Sequence, residues 1–373
     1  MKYVFYLTCF LFLGFQPASV YAQKTYIVNN AASSVADFHT FQAAIDSAPA
    51  GSILLLQPSA VAYENVTIRK KLAIYGNGFF LGQNAAPATQ ANSIPTKVQY
   101  INFAKGSDGA AVYGLQFTQN SVGSHTHFDS TSNINIARCY FESQPGVGQG
   151  SVPQQFSFNI SSGITIQGCY IATVDCHLTY GLDNSSGVLF QNNIINGGDF
   201  GNSFVGGTPG AVTMDHNTIV VTGSNFYIIG WILTNNIFIK QSQTTGDTTV
   251  TFTAYNVPYQ GPGSSSKNNV ANYSIFSSSS NKILPRTTTT DSLFITSSNS
   301  QNIGSTDGYF ILKPNTPAAG YAIDRTDCGA FGGTNPYVLS GIPAIPNIYF
   351  LQIAPNATQS GGVKLTIKAK ANN

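Results

Sequence analysis

The stretch that decides the fold is Ser162-Gly163-Ile164-Thr165-Ile166-Gln167-Gly168-Cys169-Tyr170-Ile171. It returns 24 residues later as Ser186-Gly187-Val188-Leu189-Phe190-Gln191-Asn192-Asn193-Ile194-Ile195. Apolar residues alternate with other residues in each copy. We call the residue three positions after the last apolar residue of this run, Cys169 or Asn193, the anchor of the copy. Alternation at period two predicts a short β-strand with one buried face.

The same phrase recurs along the middle of the chain and defines a column of anchors. The anchors are Leu115, Cys139, Cys169, Asn193, Asn217 and Asn236, with separations of 24, 30, 24, 24 and 19 residues. Repeats of 20–50 residues indicate a solenoid. Because the copies are not separated by helical stretches, the strands are not joined by helical crossovers. The sequence therefore predicts an all-β parallel β-helix, in which each strand bonds to its equivalent in the next coil.

The anchor column also predicts how its side chains pack. Stacked asparagine amides can hydrogen-bond along the axis of the solenoid, and Cys139 and Cys169 would be apolar substitutes at the same inward place. We expect two stacked buried thiols, with a disulfide between them as the alternative. The pairing of Cys176 and Cys328 stays open, and the cysteine spacing matches no zinc site.

The segment before the repeats predicts a short amphipathic helix that caps the first coil. Phe38, Phe41, Ile45 and Ala48 share one helical face, and terminal units of a solenoid need such a cap. Residues 241–306 lose the repeat and are interpreted as long loops and imperfect coils.

After Gly333 the chain becomes a proline-containing linker, followed by two predicted strands at 348–353 and 363–369. We expect this small β appendage to pack on the solenoid or to cover its open end.

The first 22 residues have the features of a secretory signal. Lys2 gives the positive start, Val4 to Phe15 is an apolar run too short to span a membrane, and Ala22 is a small residue suited to cleavage. A membrane anchor is the alternative. The predicted organisation is a signal peptide at 1–22, the β-helix at 23–333, and the linker with the C-terminal β segment at 334–373. No later apolar run is long enough for a transmembrane segment.

Composition narrows the class of partner. The formal net charge is +2, only 9% of the residues are charged, and 42% are hydrophobic. Because no basic stripe stands out, nucleic acid is excluded as a partner. The sequence leaves the question of a cofactor open, and we expect a monomer.

Three further phrases carry a resemblance to a known superfamily. The helix followed by AGSILLL (50–56), AYENVTI (62–68) and KLAIYGNG (71–78) resembles the opening of right-handed parallel β-helix proteins of the pectin-lyase-like superfamily. Asp307 to Gly333 resembles the closing segment of secreted β-helix repeat proteins from Bacteroidetes-type bacteria. The resemblance implies a right-handed coil, a location outside the cell, on its surface or in the periplasm, and a polysaccharide or cell-surface glycan as partner.

The resemblance does not extend to one particular activity. The Tyr63-Glu64 phrase looks like the start of pectin methylesterases, but the motifs that hold the catalytic Asp, Gln and Arg of that family do not occur here.

A second strand precedes each anchor and predicts a polar column on the outer surface. Its alternate, outward positions are His125, His127 and Asp129, then Gln155, Ser157 and Asn159, then Thr179, Gly181 and Asp183. Stacking the coils about 4.8 Å apart would place Asp129 and Asp183 about 9.6 Å apart, at the wide end of the carboxyl separation of inverting glycosidases. This face resembles the one on which polysaccharide-active β-helix enzymes build their clefts.

The column yields the candidate site. The catalytic candidates are Asp129, Asp183 and His127, and the substrate-binding candidates are His125, Gln155, Asn159, Thr179 and Lys105. The other interpretation is that outward polar residues merely solvate the sheet. A metal held by His125, His127 and Asp129 is disfavoured because three adjacent ligands on one strand are awkward.

The sequence leaves two functions open. One is a glycoside hydrolase or lyase acting on polysaccharide. The other is a non-catalytic surface protein that grips glycan through exposed aromatics, with Tyr63, Tyr113, Tyr140 and Tyr170 as candidates.

Overall fold

The computed structural model describes residues 23–118, 125–142, 154–172, 177–180, 184–197, 212–221, 231–240, 265–272, 280–285, 287–295, 305–354 and 362–371. Over these residues the chain forms three parallel sheets and one antiparallel hairpin. We call the sheet that contains Thr25–Val28 sheet A, the one that contains Lys97–Val98 sheet B and the one that contains Val66–Ile68 sheet C. Each full coil passes through sheet C, then sheet A, then sheet B. Every strand of these three sheets bonds to its equivalent in a neighbouring coil, so the predicted parallel β-helix is confirmed. The right-handed sense of the coil stays a prediction.

The strands are short, as the repeat predicts. Sheet A contains Thr25–Val28, Ile53–Leu56, Ala73–Tyr75, Ala111–Tyr113, Asn135–Ala137, Thr165–Gln167, Val188–Gln191, Val212–Asp215, Ile232–Thr234 and Ser265–Lys267. Sheet B contains Lys97–Val98, Gln116–Phe117, Tyr140–Phe141, Tyr170–Ala172, Ile194–Asn196, Thr218–Val221, Ile237–Lys240, Val270–Ala271 and Lys282–Ile283. Sheet C contains Val66–Ile68, Ile101–Phe103, Thr126–Asp129, Gln154–Asn159 and His177–Tyr180.

The core runs along the axis inside the three sheets. Ile136, Ile166, Phe190 and Met214 occupy one inward column of sheet A, and all four are fully buried. Burial of apolar side chains on one face of each strand is the main stabilising contribution, at about 25 cal/mol per Å² of apolar surface.

The anchors lie in the sharp turn between sheets A and B and form a ladder of side-chain amides. Asn193 Nδ2 donates to Asn217 Oδ1 at 2.9 Å, and Asn217 Nδ2 donates to Asn236 Oδ1 at 3.0 Å. The ladder continues through Asn269 to Asn281, both at 2.9 Å. The coil therefore persists into the segment 241–306, where the sequence pattern was interpreted as irregular.

Cys139 and Cys169 continue the same column as buried free thiols. The backbone N–H of Cys139 points at Cys169 Sγ, at 3.4 Å. The expected stacked thiols are confirmed, and the two residues form no disulfide. Cys176 lies outside the described residues.

The first coil is capped by the helix Phe41–Ser47, with Thr40 as its N-cap. Phe41, Ala44 and Ile45 face the core, which agrees with the predicted amphipathic face. Glu64 carboxylate accepts the N–H groups of Phe41 and Gln42, which have no partner within a helix. A second short helix spans Thr290–Leu293, and 3₁₀ turns span Gly308–Phe310 and Leu339–Gly341.

Residues 321–346 form a strap that runs back along the solenoid over the turns between sheets A and B. Asn268 Nδ2 donates to Tyr321 O at 2.9 Å, and Asn192 Nδ2 reaches Ala330 O at 2.9 Å. Nearer the first coils, Arg138 Nη1 donates to Ile342 O at 2.8 Å. The strap thus contacts the coils in the reverse of their order in the chain.

The chain ends in an antiparallel hairpin of Asn347–Ile353 and Leu365–Lys370, close to the two predicted strands. Ala91 N–H donates to Ile348 O at 2.8 Å, so the hairpin begins beside the first coils. Leu351, Ile353, Leu365 and Ile367 are about half exposed. Over the described part of the chain, no helix is long and apolar enough to cross a membrane.

Candidate polysaccharide site

The candidate residues lie on sheet C, whose strands alternate between core and surface. In the strand Thr126–Asp129, Thr126 and Phe128 are buried, His127 is half-buried and Asp129 is exposed. The next coil repeats the alternation, with Phe156 and Phe158 buried and Asn159 exposed. Inward phenylalanines stack from coil to coil, as Phe128 does with Phe158 at 5.0 Å between ring centroids. This stacking holds the polar outward residues in fixed register.

His125 and His127 form a pair of close imidazoles on the outward face. Their ring centroids are 3.9 Å apart. Burial, followed by the neighbouring His127, lowers the pKa of His125 from 6.5 to about 4. Burial also lowers the pKa of His127, and the charge of Asp129 acts against this shift. Both rings are therefore neutral at pH 7 and can accept a proton.

Asp129 and Asn159 lie side by side on adjacent coils. The strand register pairs the two residues, and Asn159 Nδ2 donates to Asp129 Oδ1 at 2.8 Å. Ser130 Oγ donates to the same oxygen at 3.1 Å. The carboxylate is thereby fixed in orientation while it stays exposed.

The outward placement predicted for Gln155 is wrong. Its side chain is fully buried, and Nε2 donates to the carbonyls of Glu142 at 3.0 Å and Ala172 at 2.6 Å. Both carbonyls lie at the ends of sheet B strands, where they need hydrogen-bond donors once buried. Gln155 therefore closes the turn into sheet C and does not reach the surface.

Thr179 is displaced by one residue from its predicted register. It pairs with Phe156 rather than with Gln155, and a slip of one residue moves a strand position to the other face. The fixed count back from the anchor failed because the segments between this strand and its anchor differ in length by one residue. The side chain of Thr179 and the whole of Asp183 lie outside the described residues, so the separation of Asp129 and Asp183 stays a prediction.

Lys105 does not extend the column. The strand that pairs with Thr126–Asp129 is Ile101–Phe103, and Lys105 follows it in an exposed turn. The chain has already left the sheet at that point.

Sequence reasoning missed the residue that does extend the column, Asn102. The register places Asn102 beside His127, with Thr67 beyond it. Asn102 Oδ1 is buried and accepts no hydrogen bond within the described structure. Asn102 precedes its anchor Leu115 by 13 residues, whereas His127 precedes Cys139 by 12, so a fixed count back from the anchor misplaces it. The only signal was the alternation of Ile101-Asn102-Phe103.

The aromatic candidates are mostly buried. Tyr63 is fully buried and donates to Val28 O and Gln57 O at 3.0 Å each, and Tyr170 is 3% exposed. Tyr140 is half-buried against Phe79 and Phe80. Tyr113 is half-buried and stacks on Tyr75 at 4.7 Å on sheet A.

Within the described residues, no group of three or more His, Cys, Asp or Glu side chains is arranged to hold a metal ion.

The fold defines the class of the chain, a parallel β-helix protein with a polar face on one sheet. No protein-family model matches the chain, and no curated protein matches it. Among solved structures, the crystal structure of pectate lyase Pel9A is similar to it at 13% sequence identity, over 85% of this chain and 98% of that chain, with a TM-score of 0.39.

Proposed function

We propose that this protein binds and processes a polysaccharide that lies across the outward face of sheet C. The observation that carries the proposal is the group formed by the His125–His127 pair and the Asp129–Asn159 pair on adjacent coils. Long runs of parallel coils present an extended surface, which suits a polymer better than a small molecule.

The residues have separable roles in this proposal. Neutral His127 accepts a proton from the sugar or from the attacking water, because burial holds its pKa below the working pH. Asp129 is oriented by Asn159, and its carboxylate stabilises positive charge that develops on the sugar. Asn159, which is exposed, offers its carboxamide to sugar hydroxyls.

We also infer that the protein works outside the cytoplasm. The support is the charged start, the short apolar run and the small residue at Ala22. N-terminal sequencing of exported protein should begin at or near Gln23, and an exported form that retains Lys2 would contradict the inference.

The test is incubation of the purified protein with a panel of plant, algal and microbial polysaccharides. New reducing ends report cleavage, and ultraviolet absorbance of unsaturated products separates a lyase from a hydrolase. His127→Gln and Asp129→Asn should each lower the rate by at least ~10²-fold, the low end for a general acid or base.

The chain offers a matched control for each variant. Asp46 is also an exposed carboxylate that accepts one carboxamide bond, from Gln42 at 2.9 Å, and His39 is an exposed histidine whose ring contacts the carbonyl of Asn29. Asp46→Asn and His39→Gln should leave the rate unchanged, and all four variants should keep the melting temperature. Full activity in both site variants would show that catalysis does not depend on His127 or Asp129. A wild type that neither cleaves nor binds a glycan would contradict the proposal.

One observation favours the non-catalytic alternative. In the described part of the column Asp129 is the only carboxylate, whereas glycosidic hydrolysis usually needs two. If the wild type binds a glycan but does not cleave it, the non-catalytic function is supported.

A further inference from the structure

The C-terminal hairpin presents a row of large apolar side chains on one face. Its register pairs Leu351 with Ile367 and Ile353 with Leu365. Residues directly opposite each other in an antiparallel pair, and residues two apart along one strand, put their side chains on the same face. We call these four residues the hairpin patch. The exposed fractions of Leu351, Ile367, Ile353 and Leu365 are 51%, 51%, 62% and 52%.

The rest of the described structure leaves most of this patch uncovered. The hairpin is held at its base, where Ala91 N–H donates to Ile348 O at 2.8 Å and Asn347 Nδ2 donates to Thr89 O at 3.4 Å. A cavity of about 510 Å³ between the hairpin and sheet A is lined by Leu351 but by no described residue after it. A two-stranded hairpin is marginally stable in water, and an exposed apolar patch marks contact with a protein or a membrane.

The opposite face of the hairpin is basic. Lys368 pairs with Phe350, and its Nζ lies 5.1 Å from the centroid of that ring. Lys370 lies two positions further along the strand, and Lys364 directly precedes the strand. All three lysines are exposed, and no carboxylate of the described residues lies within 4.0 Å of them. The sequence contains no Asp or Glu after Asp327, so no acidic residue of this segment neutralises the lysines.

This charge decides between the two kinds of surface that could cover the patch. A second copy of the chain that packed its own patch against the first would bring six lysines together without a carboxylate. An anionic lipid surface accepts apolar side chains at the boundary of its acyl chains and attracts lysines. Sheet layers are about 10 Å apart, close to the Debye length of about 10 Å at 0.1 M salt, so lysines on the far face still interact with the headgroups.

We propose that the hairpin patch inserts into the surface of an anionic lipid bilayer, with Lys364, Lys368 and Lys370 attracted to the phosphates of the lipid headgroups. The hairpin lies on the membrane, with its apolar face towards the acyl chains. The surface is formed by the C-terminal segment alone, so the inference does not depend on the function proposed for sheet C.

The test is cosedimentation of the purified protein with vesicles of phosphatidylcholine, either alone or in equimolar mixture with phosphatidylglycerol. The protein should partition onto the anionic vesicles at least about tenfold more strongly than onto neutral ones, and added salt should reduce this preference. The apolar run from Val4 to Phe15 is common to every variant, so differences between variants report on the hairpin alone.

The lysines are tested by one triple variant and a matched control. Replacing Lys364, Lys368 and Lys370 with glutamine should lower partition onto anionic vesicles at least about tenfold, since each lysine near such a surface contributes about fivefold. The control replaces the exposed Lys24, Lys71 and Lys105 with glutamine and should change nothing. Lys24 Nζ lies 4.6 Å from the ring centroid of Tyr26, which matches the contact of Lys368.

The patch is tested in the same way. Leu365→Thr combined with Ile367→Thr should lower partition at least about tenfold, because two apolar side chains no longer insert. Val61→Thr combined with Ile323→Thr, at residues that are 71% and 56% exposed, is the control and should bind as the wild type does.

A tryptophan probe keeps the inference testable if the threonine variant loses the hairpin. The chain has one tryptophan, Trp231, which is buried. Ile367→Trp keeps an apolar residue that suits a strand, and brominated lipids in anionic vesicles should quench its fluorescence while the wild type is little affected. An unquenched probe would overturn the proposal.

Three other outcomes would also overturn it: no binding of the wild type to vesicles, equal binding to neutral and anionic vesicles, or wild-type binding by both hairpin variants. A wild type that dimerises in solution, ignores vesicles and becomes monomeric in the threonine variant would assign the patch to a second copy. His127→Gln should bind vesicles as the wild type does, so failure of this proposal is distinguishable from failure of the sheet C proposal.

Discussion

The side-chain amide of Asn192 donates to the carbonyl of Ala330 at 2.9 Å, across 138 residues of chain. The same nitrogen donates to Gly332 O at 2.8 Å. One asparagine in a turn of the solenoid therefore holds the strap that runs back over it, and the strap buries a second apolar cluster outside sheet B that includes Ile194, Val220 and Ile239.

We expect Asn192→Ala to destabilise the protein through two separate effects. Two buried strap carbonyls lose their donor, at roughly 1–3 kcal/mol each, and alanine at φ 53° adds backbone strain of roughly 1–2 kcal/mol. Asn192→Gly removes the same bonds without the strain. Denaturant unfolding should rank the free energies of unfolding as wild type, then Asn192→Gly, then Asn192→Ala. Equal stability of wild type and Asn192→Gly would show that the strap bonds contribute nothing.

The amide ladder should be most sensitive at its centre. Asn217 Oδ1 accepts from both the backbone and the side chain of Asn193, and Asn217 is fully buried. Asn217→Ala should cost at least about 3 kcal/mol because several buried groups lose partners together. Asn281 ends the ladder and is part-exposed, so Asn281→Ala should cost about 1 kcal/mol. Similar losses in the two variants would contradict a continuous ladder.

Stability should fall in two steps as the pH is lowered. The pKa of His125 is about 4 in the folded state against 6.5, so the unfolded state takes up a proton first and stability falls from about pH 6.5 to 4. Hydrogen bonds from His216, Thr234 and Asn235 outweigh burial and lower the pKa of Asp215 from 3.8 to about 2. Its contribution is present above about pH 4 and is lost as the pH falls towards 2.

Melting temperature against pH checks both steps. His125→Gln should flatten the upper step, and Asp215→Asn should flatten the lower one. His39→Gln, at an exposed histidine, is the control for the first. An unchanged profile in His125→Gln would contradict the assignment.

The thiols of Cys139, Cys169 and Cys328 should not react in the native protein. All three are buried and free, and burial raises the pKa of Cys169 well above 9.0 and that of Cys328 to about 12. Thiolate is the reactive form, so alkylation at pH 8 should modify these residues only after unfolding. Peptide mapping without reduction should show no Cys139–Cys169 disulfide, and a bridged peptide would contradict the stacked thiols.

Site residues could be predicted correctly only where the distance to the anchor shows how the strands of adjacent coils pair. Asp129 and Asn159 share the offset from Cys139 and Cys169, and their side chains meet as the offset predicts. Gln155 alternates correctly in sequence, yet it is buried because two strand-end carbonyls need its amide. Thr179 and Lys105 failed because the length of an intervening turn sets register, and a turn carries no periodic signal.

The repeat alone determined that this chain is a parallel β-helix with an inward anchor column, because strand alternation and an anchor that recurs every 19 to 30 residues can be read locally along the chain. Asn269 and Asn281 are the last two residues of the amide ladder, but their spacing differs from that of the earlier anchors, so the sequence pattern did not identify them. Only the tertiary structure decided the path of the strap and the burial of Gln155. Each depends on contacts between residues far apart in the chain, whose partners no local pattern specifies.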